Sequence, residues 1–377
     1  MAMLTTTREQ RGEAIAKING QIKRVDDCTY AVKSQSNHGE YCIVKVDGEW
    51  VCECPDNKYR RVKCKHIIAV ELSTTIRAEV AVKRIAPIES ISACVYCGSS
   101  NLKKDGVRKN KTVTIQKFYC RDCHKYMTFN VGFERMKHNP QAVTTAMQLY
   151  FSGESLRNTM KSLKLLGVEV SHKTVFMWIK KYVRLMQNYA ETLTPNVSDT
   201  WRADEIYVKV RGNMKYLFAM MDDETRFWIA QEVAETKMKH DARTLFFRAK
   251  RLMAKQPKTL ITDGLASYAL ACDQVFDGTK HIREIRLQGA VHNNKMERMN
   301  GEIRDREKTM RGLKRKRTPI LSGYQLFHNF IREHEALNGQ TPAEACGIKV
   351  EGNNKWLTLI QNAQQTKSNR EMEQTQR

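Results

Sequence analysis

Seven of the eleven cysteines fall at metal-ligand spacings, and this constrains the fold more than any other feature. Cys94-x2-Cys97 and Cys120-x2-Cys123 form two knuckles that can set four thiolates tetrahedrally around zinc, the bond standing in for a core that so small a segment cannot bury. A second group, Cys52-x-Cys54 followed after nine residues by Cys64-x-His66, sits in a different setting. Alternating runs at 41–46 and 49–54 flank Asp47-Gly48, a favoured two-residue hairpin turn, and the run from His66 to Leu72 reads as a helix. The first ligand pair therefore lies on a strand and the second at a helix start. Cys28, Cys42, Cys272 and Cys346 are expected to be reduced thiols. The first twenty residues are polar, no secretory signal is expected, and a disulfide framework with it is not.

The Cys52, Cys54, Cys64, His66 pattern resembles the SWIM zinc finger. The resemblance implies that these four residues bind one Zn²⁺, with DNA or protein as the partner of the finger. The ribbon ligands Cys94, Cys97, Cys120 and Cys123 take a second Zn²⁺, and Lys103, Lys104, Arg108, Lys109 and Lys111 offer it contacts to phosphate.

The formal charge of +23 points to a polyanionic partner. Zinc-bound thiolates lower it only to about +20. No apolar stretch is long enough to span a membrane, so a membrane partner is excluded and a cytoplasmic, nucleoid-associated protein is expected. Five regions follow along the chain: a SWIM-like finger at 20–75, a ribbon at 94–133, three helices at 139–193, an alternating strand and helix pattern at 200–335, and a polar Gln- and Asn-rich tail at 353–377 that is expected to be a frayed helix or, more so, disordered. A linker at 76–93, ending near Pro87, joins the first two.

The three helices fit a helix-turn-helix arrangement. Pro140 starts the first, Gly153 ends it, Gly167 ends the second, and the third begins near Ser171 with an apolar stripe of Val175, Trp178, Ile179, Tyr182 and Leu185. Its outward face presents Ser171, Lys173, Thr174 and Lys180, small polar groups for base edges and lysines for phosphates.

The catalytic candidates are acids. The strand Trp201–Val210 puts Asp204 on the face of Ile206 and Val208, where a carboxylate is costly unless a metal compensates it. Lys258–Ile261 is a second short strand, ending at Asp263-Gly264, and ligand sites of α/β sheets lie at the carboxyl ends of strands. Asp263 could instead cap the following helix. Glu297 opens a helix in His292–Asn300, where it also fits a capping-box position behind Asn294. Asp222 and Asp223 read as turn residues between two hairpin strands.

Asp204, Asp263 and Glu297, in "WRADEIYVKVRG", "ITDGLASY" and "HNNKMERMNGEIRDREK", resemble the DDE triad of the retroviral-integrase superfamily, above all insertion-sequence transposases of bacteria and archaea; "GQTPAEACGI" is similar to transposase tails. The resemblance implies a multidomain α+β chain with an RNase H-like mixed α/β core behind small zinc modules. It also implies two Mg²⁺ (or Mn²⁺) ions held by the three acids, double-stranded DNA as substrate at element ends and target, and a homo-oligomer. Hard oxygen ligands suit these ions. Arg298, Arg304, Arg306, Lys308 and Arg311 follow Glu297 as candidate phosphate contacts. The alternatives are a non-catalytic DNA-binding regulator derived from such an enzyme and an RNase H-like nuclease acting on RNA or branched DNA.

Overall fold

A computed structural model describes residues 7–17, 21–25, 29–35, 39–46, 48–79, 82–109, 114–134, 136–283, 294–310, 313–316 and 318–375. Cys28, Asp47, Lys111, His292 and Arg311 lie outside them. Two compact units divide the chain, one built mainly from residues up to 82 and the other from residue 83 onward.

The first unit is a helix, α1 (Arg8–Lys17), a four-stranded antiparallel meander and a second helical pair. The strands β1 (Ile22–Arg24), β2 (Thr29–Lys33), β3 (Glu40–Val46) and β4 (Glu49–Cys52) pair in chain order. The β3–β4 turn places Gly48 at φ +89°, a conformation that glycine adopts without strain. Then come α2 (Pro55–Lys58) and α3 (Lys65–Glu79). The core is small: Ile15, Val32, Ile43, Ala69 and Val70 pack with Cys52, Cys54 and Cys64. Helix α1, which the sequence pattern did not suggest, lies so close to α3 that a Cβ on Gly12 would stand 2.7 Å from Ile68 Cγ2.

The second unit begins with β5 (Lys83–Ile85) inside the expected linker, and continues into the ribbon strands β6 (Leu102–Lys109), β7 (Thr114–Cys120) and β8 (Tyr126–Thr128). Helices α4 (Pro140–Phe151), α5 (Leu156–Leu165) and α6 (His172–Ala190) follow, capped at Asn139, Ser155 and Ser171 by side chains that accept from backbone N–H groups. Next are β9 (Thr200–Val210), β10 (Asn213–Asp222), β11 (Trp228–Ala234), α7 (Lys239–Met253), β12 (Thr259–Ile261), α8 (Ala266–Val275) and β13 (Lys280–Ile282). They form one five-stranded sheet, β11-β10-β9-β12-β13, antiparallel through β9 and parallel beyond it. This is the mixed sheet that the sequence resemblance implies. The chain ends with α9 (Asn294–Met310), α10 (Pro319–Leu326), α11 (Pro342–Ala345), β14 (Ile348–Val350), which pairs in parallel with β5, and α12 (Lys355–Thr375).

One expectation needs correction. The tail is a 21-residue helix, not a disordered segment. Its average composition is polar, but Trp356, Leu359, Ile360 and Ala363 recur at helical spacing and are buried against α4 and α6. The three helices at 140–190 share their core with the sheet. The stripe Val175, Trp178, Ile179 and Tyr182 joins the same core as Trp201 and Leu260 of the sheet, because α6 packs on α10 and α12. No helix among the described residues is long and apolar enough to cross a membrane.

Candidate active site and metal centres

Parallel pairing brings two acids together. Strand β12 runs beside β9 with Ile261 level with Arg202, so two further residues on each chain set Asp263 level with Asp204 across one strand spacing, ~4.8 Å. One carboxylate oxygen each of Asp204, Asp263 and Glu205 lies within 4.8 Å of the others. Gly264 turns the chain immediately after Asp263 at φ +90°, and a Cβ there would meet the Arg283 carbonyl oxygen at 2.9 Å. Asp263 accepts from Leu265 N–H at 3.2 Å and does not cap α8, whose first turn starts after Leu265 with no side-chain cap.

Asp204 is only 9% exposed. Its two oxygens accept from Glu205 N–H at 2.9 Å and Asn300 Nδ2 at 2.7 Å. Burial, with Glu205 and Asp263 beside it, pushes its carboxyl up to about 7 against the pull of those hydrogen bonds. A site that holds like charges this close is relieved by a cation, and oxygen donors suit a hard divalent ion. Glu205 is differently engaged: Tyr268 Oη donates to one of its oxygens at 2.8 Å and Lys237 Nζ to the other at 2.7 Å.

Glu297 is not in this cluster. It is exposed in the first turn of α9. The helix itself is tied to the sheet on either side of it, by Lys295 Nζ donating to the Asp223 carbonyl at 2.7 Å and by Asn300 to Asp204. Helix α9 begins at Asn294, which puts Glu297 one position beyond the capping-box place. Asp223 also pairs with the buried Arg202. Asp222 does make the turn, accepting from Thr225 N–H at 2.8 Å, but it is fully buried and holds Ser198 as well, and burial raises its carboxyl to about 6. The sequence reading missed Glu205, Asn300 and Tyr268. The Asp204-Glu205 dipeptide and the Glu297-x-x-Asn300 spacing were the available signals.

The basic residues divide. Arg298, Arg304 and Lys308 are exposed, Lys308 bonding Asp305 at 2.9 Å. Arg306 is a correction. It falls on the buried stripe Met296, Met299, Ile303, Arg306 of α9, is 4% exposed, lies 4.2 Å from the Tyr150 ring centroid and donates to the Glu154 carbonyl, so it cannot meet DNA phosphate. On α6, Lys173 and Lys180 are exposed and Thr174 is half-buried, while the Ser171 hydroxyl is occupied at the N-cap, accepting from Thr174 N–H at 3.1 Å.

Both cysteine groups close up. Cys52, Cys54, Cys64 and His66 are all buried with ligand atoms within 4.8 Å of one another, as are the ligand atoms of Cys94, Cys97, Cys120 and Cys123. His66 Nδ1 stands 3.9 Å from Cys52 Sγ and 4.0 Å from Cys64 Sγ, and the ribbon sulfurs approach to 3.5 and 3.6 Å. Tetrahedral zinc with its usual bond lengths sets such edges at roughly 3.6–3.8 Å, so both donor sets fit the ion in chemistry and in size. Tyr41 packs on the His66 ring at 4.8 Å and orients it. Hydrogen bonding with Cys52 pulls the Cys64 thiol down to about 4 and pushes Cys52 up, as expected of thiols crowded without a cation.

Residues 198–334, the five-stranded sheet with α9 and α10, match the family described as a DDE domain, and residues 42–74 match the SWIM zinc finger. The chain carries a DDE transposase domain behind a SWIM finger. It is homologous to the transposase for insertion sequence-like element IS431mec of Staphylococcus aureus, 25% identical over 181 residues, which cover 46% of this chain and 78% of that protein. The transposase for insertion sequence element IS257 in transposon Tn4003 of Staphylococcus aureus matches to the same extent. Among solved structures, the HTLV-2 integrase catalytic core domain in complex with magnesium aligns at 16% identity and TM-score 0.31, over 41% of this chain and 98% of that one. The catalytic core domain of BIV integrase aligns at 15% and 0.30, over 40% and 93%. The transposase domain makes the chain an enzyme acting on DNA, and it implies a divalent metal as the SWIM finger implies zinc.

Proposed function

We propose that this chain cleaves the ends of an insertion sequence and joins them to target DNA, with Asp204, Asp263 and Glu297 together holding two Mg²⁺ or Mn²⁺ ions. The observation that carries the reading is the approach of Asp263, just past the end of β12, to Asp204 within the neighbouring parallel strand β9, beside a helix whose Asn300 is bonded to Asp204. Glu297 lies three residues ahead of Asn300, nearly one full turn, on the helix anchored there. Two such ions would activate the attacking oxygen of water or a 3′-hydroxyl and stabilise the leaving one.

The protein residues do the rest. Asn300 orients the Asp204 carboxylate, and Glu205, held by Lys237 and Tyr268, adds negative charge that favours cation capture without giving up its own partners. Arg298, Arg304 and Lys308, exposed along α9, steady the phosphate backbone, and Lys173 and Thr174 of α6 contact duplex at the element ends, with Ser171 fixing the start of that helix. Cys52, Cys54, Cys64 and His66 hold one Zn²⁺; Cys94, Cys97, Cys120 and Cys123 hold the other. The working unit is a homo-oligomer that pairs two ends, on the nucleoid in the cytoplasm. The reading keeps the segments 20–75, 94–133, 139–193 and 200–335 as finger, ribbon, DNA-binding helices and catalytic domain.

The test is strand joining by purified protein with element-end duplexes and Mg²⁺. Asp263→Asn should lower joining by ~10²–10³-fold, as expected for loss of an electrostatic anchor of the transition state, while duplex binding persists. Glu297→Gln should do the same. Joining at the wild-type rate by either variant removes that residue from the site, and joining by both ends the two-metal reading.

A further inference from the structure

On the edge of the sheet away from Asp263, α6, α7 and β11 enclose an open cleft of about 690 Å³. Lys180 and Arg184, one turn apart on α6, form one wall, and Arg248 and Arg251, three apart on α7, face them with Lys316. The sole carboxylate lining the cleft is Glu232, on the floor. Arg248 serves the fold: it donates to the Gln231 carbonyl at 3.2 Å, covering the open edge of β11, and lies 3.6 Å from Glu232. Lys316 is paired with Glu235 at 2.5 Å. Lys180, Arg184 and Arg251 are exposed, and among the described residues no carboxylate stands within ion-pair distance of them.

We propose that this cleft is a second track for duplex DNA, gripping one phosphate backbone through Lys180, Arg184 and Arg251 while a different stretch of duplex lies at the acids. This deepens the transposase reading above and rests on it. Three cations on facing walls repel one another, and a concave basic surface lowers that cost when a polyanion enters. The cations are exposed and spread over two helices, a layout that suits a continuous chain of phosphates more than one small anion in a fitted pocket. Strand β11 lies on the side of β9 opposite β12, so the cleft opens at the edge of the sheet away from Asp263. A reaction that joins two DNA segments needs room for both.

The experiment measures binding of a duplex of unrelated sequence across a series of salt concentrations, with the full-length wild type and the Arg184→Ala/Arg251→Ala variant. Each lost phosphate contact should flatten the plot of log affinity against log salt by ~0.9, so the double variant should be shallower by ~1.8. Adding Lys180→Gln should flatten it by a further ~0.9. The melting temperature should not move, because the substituted residues are exposed and unpaired; Arg184→Gln/Arg251→Gln serves as the gentler pair should the alanines disturb it. A wild-type salt slope in the variants overturns the proposal. So does an unchanged slope accompanied by a change in solution mass, which would make the cleft an interface between copies. If the wild type itself shows no salt-dependent duplex binding, the reading of the chain as an enzyme acting on DNA falls along with the cleft.

Discussion

The cysteine clusters and the acid cluster gather similar numbers of ligands by opposite routes. The finger ligands Cys52 and His66 are 14 residues apart, and the ribbon ligands Cys94 and Cys123 are 29 apart, each set on adjacent short elements around a small core. Asp204 meets its helix partner Asn300 across 96 residues, after a sheet has formed and a helix has crossed it. In the first case the ion substitutes for hydrophobic burial, so metal and fold arrive together. In the second a large core holds the acids close together, and a divalent ion would relieve the repulsion between them. On the reading proposed above, one chain would use metal both as a structural staple and as a reagent, and the difference is legible in the spacing of the ligands.

The comparison breaks most visibly if the zinc sites are not structural. Cys64→Ser should cost the first unit its fold, since zinc contributes on the order of 10 kcal/mol to such modules. The loss of one bound zinc, together with protease sensitivity confined to the N-terminal unit, checks this. Omitting Mg²⁺ and Mn²⁺ should leave the second unit folded.

A smaller effect sharpens the other half. The carboxyl of Asp204 lies at about 7 in the folded chain, above its unfolded value near ~3.9. The folded state therefore keeps a proton that the unfolded state releases, and stability falls as pH rises from about 4 through 7. Asp204→Asn should remove this slope and raise the stability of magnesium-free protein at pH 8 by on the order of 2 kcal/mol. It should also abolish stabilisation by added Mn²⁺. Melting temperature against pH, with and without Mn²⁺, reads both; a steeper slope in the variant would contradict the assignment.

The smallest expected change is that of Asn300→Ala. Losing a hydrogen bond to a carboxylate should cost ~1–2 kcal/mol of stability. It should raise the Mn²⁺ concentration needed for half-maximal joining more than it lowers the maximal rate, because Asn300 orients a ligand and touches no reacting atom. An effect on rate alone would instead place the amide at the substrate.

Much of the fold could be read from pattern. The alternation in 201–210, the turn glycine at 48, the glycines at 153 and 167 and the acid that follows the short strand at 259–261 are local signals whose physics needs no distant partner. Helix α12 was hidden because its polar average masked a four-residue apolar stripe that only α4 and α6 give a use. Arg306 read as one more cation in a basic run until Tyr150 and Glu154 covered it. Asp222 read as a turn residue, which it is, but its burial depends on Ser198 arriving from outside the hairpin.

The sequence by itself determined the ligand types, their spacing and the charge that calls for a polyanion, because donor chemistry and backbone period are properties of neighbouring residues. Tertiary structure alone decided which acids meet, which cations stay in water and which pair off. Those outcomes depend on the register of β12 against β9 and on which face each helix turns inward, and no stretch of chain can fix them before its partner is in place.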